Sequence, residues 1–203
     1  MSENRTAHYL RMQPISQVEI KLITPDNLTD YILSEFPLHS AFDNLSLVHK
    51  SDYLRCYFMH HYGGGYSDIK SPTNDWNEIF TALEQSNKWA IGYPEVKKKH
   101  VAKVEGKVGK DLRNNYKLLI GNCAYIFRPH TPFTTEWYNE LHRLMDLYTK
   151  DLVQFPGNTL GNNKGYPIPW TGILGNIFHP LCLKYFDNLI YTDNLKPDTK
   201  DYR

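Results

Sequence analysis

The apolar positions of this chain change period several times, and each change marks an element. Val18-Glu19-Ile20-Lys21-Leu22-Ile23 alternates with period two, the pattern of a half-buried strand, and Pro25-Asp26-Asn27 closes it with turn chemistry. Asp26 or Asn27 then caps a short helix carrying Leu28, Tyr31, Ile32 and Phe36, which Pro37 ends. From Asn44 to Tyr62 the positions Leu45, Val48, Tyr53, Cys56, Tyr57 and Met59 predict a helix, stopped by Gly63-Gly64-Gly65. Tyr66 to Ile69 reads as a short strand with Asp68 at its end. Asp75-Trp76-Asn77-Glu78 has capping-box spacing for a helix that buries Trp76, Ile79, Phe80 and Leu83.

Trp89 to Tyr93 and Leu118 to Phe127 predict two more strands. The second is almost continuously apolar, as in a sheet covered on both faces. Trp137, Leu141, Leu144, Tyr148 and Leu152 fall on one stripe of a helix behind Pro132. Phe155 to Pro169, rich in Gly, Asn and Pro, predicts a long loop before a short helix around Ile173 to Phe178. Arg5 to Met12 reads as the tail of a helix. Helix and strand patterns in alternation imply an α/β layered fold.

Composition narrows the function classes. At 203 residues and 41% apolar the chain reads as a single domain over 1–203. A domain of that size hides about 70% of its unfolded surface and needs no disulfide or structural metal. The formal charge of +1 gives no drive toward nucleic acid. No run of about 18 apolar residues exists to span a bilayer, and Met1 to Arg5 lacks the apolar core of a signal peptide, so a cytoplasmic placement is expected. Cys56, Cys123 and Cys182 form no paired motif and read as core thiols. Lys97, Lys98, Lys99, Lys103, Lys107, Lys110, Arg113 and Lys117 face only Glu105 and Asp111 in their stretch. A solvated mobile loop is the first reading, and a lid over an anionic donor or acceptor is the alternative. Fifteen Tyr, nine Phe and four Trp suit sugar stacking and an ordinary core equally.

The chemistry concentrates between Ser51 and Lys70. Asp52 and Arg55 lie three apart on one helix face. A helix that ends in glycines and turns straight into a strand brings them close to Asp68, giving two acceptors and a planar fork donor in one cleft. That set suits a polyhydroxylated ligand, whose hydroxyls need paired, fixed hydrogen bonds.

This segment resembles the sugar-binding region of the DXD glycosyltransferases of the GT-A superfamily, which includes mannosyltransferases, capsular-polysaccharide transferases and the large clostridial glucosylating toxins. Their pattern runs S/A-D-x-x-R, about a dozen residues, then Y-G-G-x-Y-x-D-x-D. Asp52, Arg55, Tyr62, Gly63, Gly64, Tyr66 and Asp68 fall on it in order, with six residues between Arg55 and Tyr62. The resemblance implies a GT-A-like, Rossmann-like fold with a central, mostly parallel sheet flanked by helices. It implies transfer of a sugar from a nucleotide-diphosphate sugar to a saccharide or other hydroxyl acceptor, as in polysaccharide or glycan synthesis. Asp52 and Arg55 would grip the donor sugar, with Gly64 and Tyr66 beside them. Asp68 would contact ribose, sugar or metal. The family's opening nucleotide-binding strand is not evident before Val18, which leaves a compact version and a part of something larger both open.

Lys70 departs from the pattern, since the family's second carboxylate holds manganese or magnesium and a lysine cannot enter that shell. Either its ammonium offsets the diphosphate charge in place of the ion, or the ion is lost and the domain is a non-catalytic sugar- or nucleotide-binding module. Asp75 is a further candidate ligand whose capping position favours a structural role. Asn122, between Gly121 and Cys123, either reaches a ligand at a strand end or serves the backbone. Trp170-Thr171-Gly172 resembles the T-G-P element of the mannosyltransferase members, with Ile173 in place of Pro. His179 stands where such enzymes supply a late ligand to metal or phosphate, against the plainer reading of a structural histidine. His60 and His61, adjacent on a helix, do not form a chelating pair. A phosphate-ester hydrolase built on Asp68, Asp75 and His179 is a third reading. No catalytic base is assignable, because an inverting enzyme needs a carboxylate or histidine on the acceptor side.

Overall fold

The computed structural model describes residues 1–200. Its elements are α1 (Glu3–Ser16), α2 (Leu47–His61), β1 (Gly64–Ser67), α3 (Asn77–Glu84), β2 (Ala90–Pro94), α4 (Gly106–Asn114), β3 (Ile120–Phe127), α5 (Pro132–Gln154), α6 (Gly175–Lys184) and β4 (Leu189–Tyr191). The four strands form one sheet in the order β1-β3-β2-β4. Helices cover both faces. Phe127, Tyr125 and Ile120 face Phe133, Trp137 and Leu141 of α5, Tyr53 and Tyr57 of α2 and Phe178 of α6. Ile91, Tyr93 and Ile126 face Trp76 and the α3 residues Ile79 and Leu83.

The fold is α/β, but the expected mostly parallel sheet is not found. β3 pairs antiparallel with both β1 and β2, and only β2 with β4 is parallel. Periodicity reports that a sheet is covered on both faces; it carries no information about strand direction, which the connections decide. The expected strand at Val18 to Ile23 also fails to form. Its alternation survives in burial, with Val18, Ile20 and Leu22 half-buried and Glu19 and Lys21 exposed, yet no ladder accepts it. The short helix after Asn27 is a single 3-10 turn, Leu28–Tyr31. Asn27 does not cap it, because its Oδ1 accepts from the Thr24 N–H behind it.

The central helix follows its pattern. Ser46 caps α2 by accepting from His49 N–H at 3.1 Å. The exit from α2 needs a left-handed residue tight against the sheet. Gly63 supplies it, with φ of 66° and space in which a Cβ would lie 2.8 Å from the Phe127 carbonyl. Asp75 accepts from Asn77 N–H just before α3, a structural role, but the expected capping box is not formed, because Trp76 and not Asp75 is the cap residue. The long loop ends later than expected, and α6 runs from Gly175 through Lys184. Among the described residues no helix is long and apolar enough to cross a membrane.

The lysine-rich stretch is the largest departure. Instead of a loop, it folds as a 3-10 turn (Lys98–His100), then α4, then a second turn (Tyr116–Leu118). Val101, Ala102, Leu112 and Leu119 are buried beneath it. Gly109 lets the Val104 carbonyl pass so close that a Cβ would sit 1.6 Å from it. The sequence hid this because its few apolar residues are spread among eight cations, too sparse to show a period.

α2 and α5 meet through imidazole and phenol rings. His60 stacks on Tyr138 at 4.7 Å, with His130 edge-on to it and His142 against Tyr138. Burial, reinforced by repulsion from His61, His130 and His142, lowers His60 to about 4 from its ordinary 6.5. Between those values the unfolded chain takes a proton that the folded chain refuses, so this stabilisation is present above the window and lost as pH falls through it.

Two predictions follow from the packing. Leu112→Ala costs about 2–5 kcal/mol in urea unfolding, the scale of a core deletion; a cost below about 0.5 kcal/mol, that of a surface change, would show that α4 is not packed. His60→Gln loses less stability than the wild type between about pH 7 and about pH 5 in thermal unfolding; an equal loss would place His60 outside the acid response.

Candidate functional site

The helix spacing, the glycine turn and the strand register converge on one guanidinium. Arg55 and Asp52 leave α2 on the same face, with Arg55 Nη2 at 3.2 Å from Asp52 Oδ1 and 3.8 Å from Asp68 Oδ1. Asp68 follows β1, where its N–H donates to the Cys123 carbonyl and fixes the strand end. The Arg55 guanidinium lies over the Tyr66 ring, 4.3 Å from its centroid. Tyr66 stands opposite Tyr125 in the β1–β3 register, and the two rings stack at 5.3 Å. Tyr66 also donates its hydroxyl to Asp68 Oδ1 at 2.7 Å.

A break in the β2–β3 ladder completes the arrangement. The register jumps between Gly92 and Pro94, so Gly121-Asn122-Cys123 bulges from the regular pairing. The freed Asn122 carbonyl accepts from Arg55 Nη1 at 2.9 Å. The Cys123 thiol lies 3.0 Å from Lys70 Nζ. Lys70, whose ammonium was expected to face a diphosphate or point away, donates to Asp68 Oδ2 at 2.8 Å and is 5% exposed.

The electrostatics follow from burial. Burial dominates at Asp52 and pushes its carboxyl up to about 6, against the pull of Arg55. Burial also works to raise Asp68, but Arg55, Lys70 and the Tyr66 hydroxyl outweigh it and hold this carboxyl below its ordinary value. Lys70 is the mirror case: burial works against its charge, and Asp68 more than restores it. Two carboxylates therefore meet two fixed cations, and Asp68, with 28% of its side chain exposed, is the open member.

His179 is fully buried in α6. Its Nδ1 accepts from Ala102 N–H at 3.0 Å, so the neutral ring carries its proton on Nε2. That nitrogen faces Asn122 at 3.3 Å and Glu95 Oε1 at 3.7 Å. Burial pushes His179 down to about 4 and Glu95 up to about 7, so the contact joins a neutral imidazole to a carboxyl that titrates near neutrality. Asn122 thus lies between the two groups, its backbone carbonyl accepting from Arg55 and its side chain in contact with His179, where Nδ2 and the Nε2–H are both donors.

The residues present do not fit a divalent ion. Both Asp68 oxygens are already engaged, one by Lys70 and one by Tyr66. The only lone pair of neutral His179 is spent on Ala102, and no three His, Cys, Asp or Glu side chains converge to hold a metal among the described residues. Asp75 is spent on α3. Trp170, Thr171 and Gly172 form a turn of their own, with Gly172 N–H donating to the Pro169 carbonyl and Thr171 to Asn176 Oδ1. No hydrogen bond or ion pair joins them to Asp52, Arg55 or Asp68 among the described residues, and Trp170 stands 63% exposed. Gly64 enters β1 at φ of 81°, a backbone role.

Sequence reading missed Tyr125, Cys123 and Glu95 as members of this region. Tyr125 and Cys123 sit in a largely apolar run whose side chains read as core, and the bulge that re-aims Cys123 leaves no mark but Gly121 and Asn122. Two open concavities of about 390 and 450 Å3 lie elsewhere, one beside Gln13 to Glu19 and one between α5 and α6, and neither includes the Arg55 group. No protein-family model, no curated protein and no solved structure matches the chain.

The Asp52 carboxyl carries a prediction of definite sign. Its folded value is raised, so its contribution is complete below the ordinary value of 3.8 and lost as pH rises through about 6. Across that interval the stability of the wild type falls relative to Asp52→Asn, measured by urea unfolding at stepped pH. A constant difference between the two would mean that Arg55 holds Asp52 ionised throughout.

Proposed function

We propose that this chain is a glycosyltransferase domain that moves a sugar from a nucleotide-diphosphate sugar to a saccharide or other hydroxyl acceptor, and that it does so without a divalent ion. The observation that carries the reading is the convergence of Asp52, Asp68 and the Asn122 carbonyl on Arg55 over the Tyr66 ring. Such a guanidinium is fixed in direction and permanently charged, the property needed to orient sugar hydroxyls. Asp68, the open carboxylate, anchors the donor. Lys70 supplies beside it the positive charge that an ion would bring, and stabilises the charge developing on the leaving diphosphate through the field of the cluster. The resemblance over Ser51 to Lys70 supports the donor class. Glu95, titrating near neutrality next to His179, is the carboxyl of this region best matched to proton transfer at neutral pH.

A second reading, a non-catalytic sugar- or nucleotide-binding module, is favoured by one specific fact: both Asp68 oxygens are already engaged, one by Tyr66 and one by Lys70. The two readings share the site and differ in turnover.

Calorimetric titration with UDP, GDP and their sugar conjugates, in manganese and again in EDTA, tests the proposal. Donor binding is expected to survive EDTA and to weaken about 10- to 100-fold in Asp52→Asn and in Lys70→Met, the scale of a hydrogen bond to a charged group. Transfer to a saccharide acceptor then separates enzyme from module. Binding that needs manganese would overturn the metal-independent reading, and no binding under either condition would overturn both.

A further inference from the structure

Eight exposed cations lie along the segment from Lys97 to Lys117, and none of them makes an ion pair among the described residues. The whole chain has a formal charge of only +1, so the remainder is net acidic and the molecule is electrically lopsided. The segment is also firmly held. Leu112 and Gly109 seat α4 on the core, Ala102 donates to buried His179, and Lys107 and Lys110 project from the opposite side of the helix. A fixed row of unpaired like charges repels itself, which is tolerated in water and relieved by an anionic partner.

Apolar groups are exposed with the cations. Val96 is 40% exposed, Val108 49% and Trp170 63%. Trp170 belongs here because its turn abuts the segment: a Cβ on Gly175 would lie 3.0 Å from Ala102 Cβ and 3.4 Å from Thr171 Cβ. A soluble polyanion would satisfy the lysines and leave valine and tryptophan in water. Single-stranded nucleic acid would need a succession of aromatic faces for its bases, and the surface offers Trp170 at its edge and half-buried Tyr116, with Val96 and Val108 left in water. A bilayer surface takes both kinds of group, anionic headgroups for the lysines and the interfacial layer for the apolar side chains and the indole.

We infer that the Lys97–Lys117 segment, with Trp170 at its edge, is a docking surface for an anionic phospholipid bilayer, on which the protein rests without crossing it. This surface is independent of the donor-site reading, and either stands without the other.

Sedimentation of the intact chain with vesicles of phosphatidylcholine, alone or mixed with phosphatidylglycerol, tests it. Binding is expected only to the mixed vesicles, and to fall as salt is raised. The triple variant Lys107→Gln, Lys110→Gln, Arg113→Gln changes only exposed side chains and is expected to bind about 100-fold more weakly, with an unaltered circular dichroism spectrum. Trp170 is the most exposed of the four tryptophans, so acrylamide quenching is expected to fall when mixed vesicles bind, and to change little in Trp170→Ser. Equal binding to neutral vesicles, undiminished binding by a folded triple variant, or quenching unchanged in the bound protein would overturn the inference. So would tighter binding to heparin or to single-stranded DNA than to the mixed vesicles.

Discussion

The guanidinium of Arg55 is a charge taken out of water, and the centre of the molecule is arranged around what that charge requires. A buried cation left unpaired is strongly destabilising, so each donor must meet an acceptor held in place by something rigid. Asp52 comes from the same helix, Asp68 from the end of β1 and the Asn122 carbonyl from the bulge in β3. These three sources are the elements that Gly63 joins and that the β1–β3 register aligns. The Tyr66 ring completes the enclosure, its own position set by the stack on Tyr125. One side chain therefore ties α2 to two strands. Loss of any one partner would release the others as well as itself.

The same arrangement defines what a ligand must do. Two carboxylates and two cations balance internally, and on the proposed reading a sugar or a diphosphate would have to replace contacts that the protein already makes with itself. Asp68 is the member open to such a replacement, with 28% of its side chain exposed. Lys70 holds its ammonium on Asp68 and, being covalently part of the chain, cannot leave or be exchanged as an ion could. Glu95 and His179 extend the group through Asn122 to a carboxyl whose burial brings it near neutrality, so the electrostatically unusual part of the molecule is larger than the motif that marks it.

Charge is handled in opposite ways at the two ends of this network. Around Arg55 it is buried and paired. On α4 and its flanking turns it is exposed and unpaired, while Leu112, Val101 and Ala102 keep the segment fixed from beneath. Ala102 touches both regimes, since its N–H holds His179 and its neighbours carry the lysines.

The sequence determined the elements with strong local signatures. The Asn44 to Tyr62 helix, the Pro132 helix and the strand running into Phe127 were legible, because an apolar period acts within a few residues of itself. The 52/55/68 spacing, read with the glycine turn between, also foretold that Asp52, Arg55 and Asp68 would meet. Tertiary structure alone decided the rest. Whether Val18 to Ile23 joins a sheet depends on a distant edge being free to pair. The direction of β1 and β2 against β3 depends on chain connections that no local period records. The lysine-rich stretch became helix and turn because Leu112 and Val101 found a surface to cover. The bulge that turns Asn122 toward Arg55 and His179, and the seating of Lys70 against Cys123, arise from contacts across 50 or more residues, a distance over which a linear pattern carries no force.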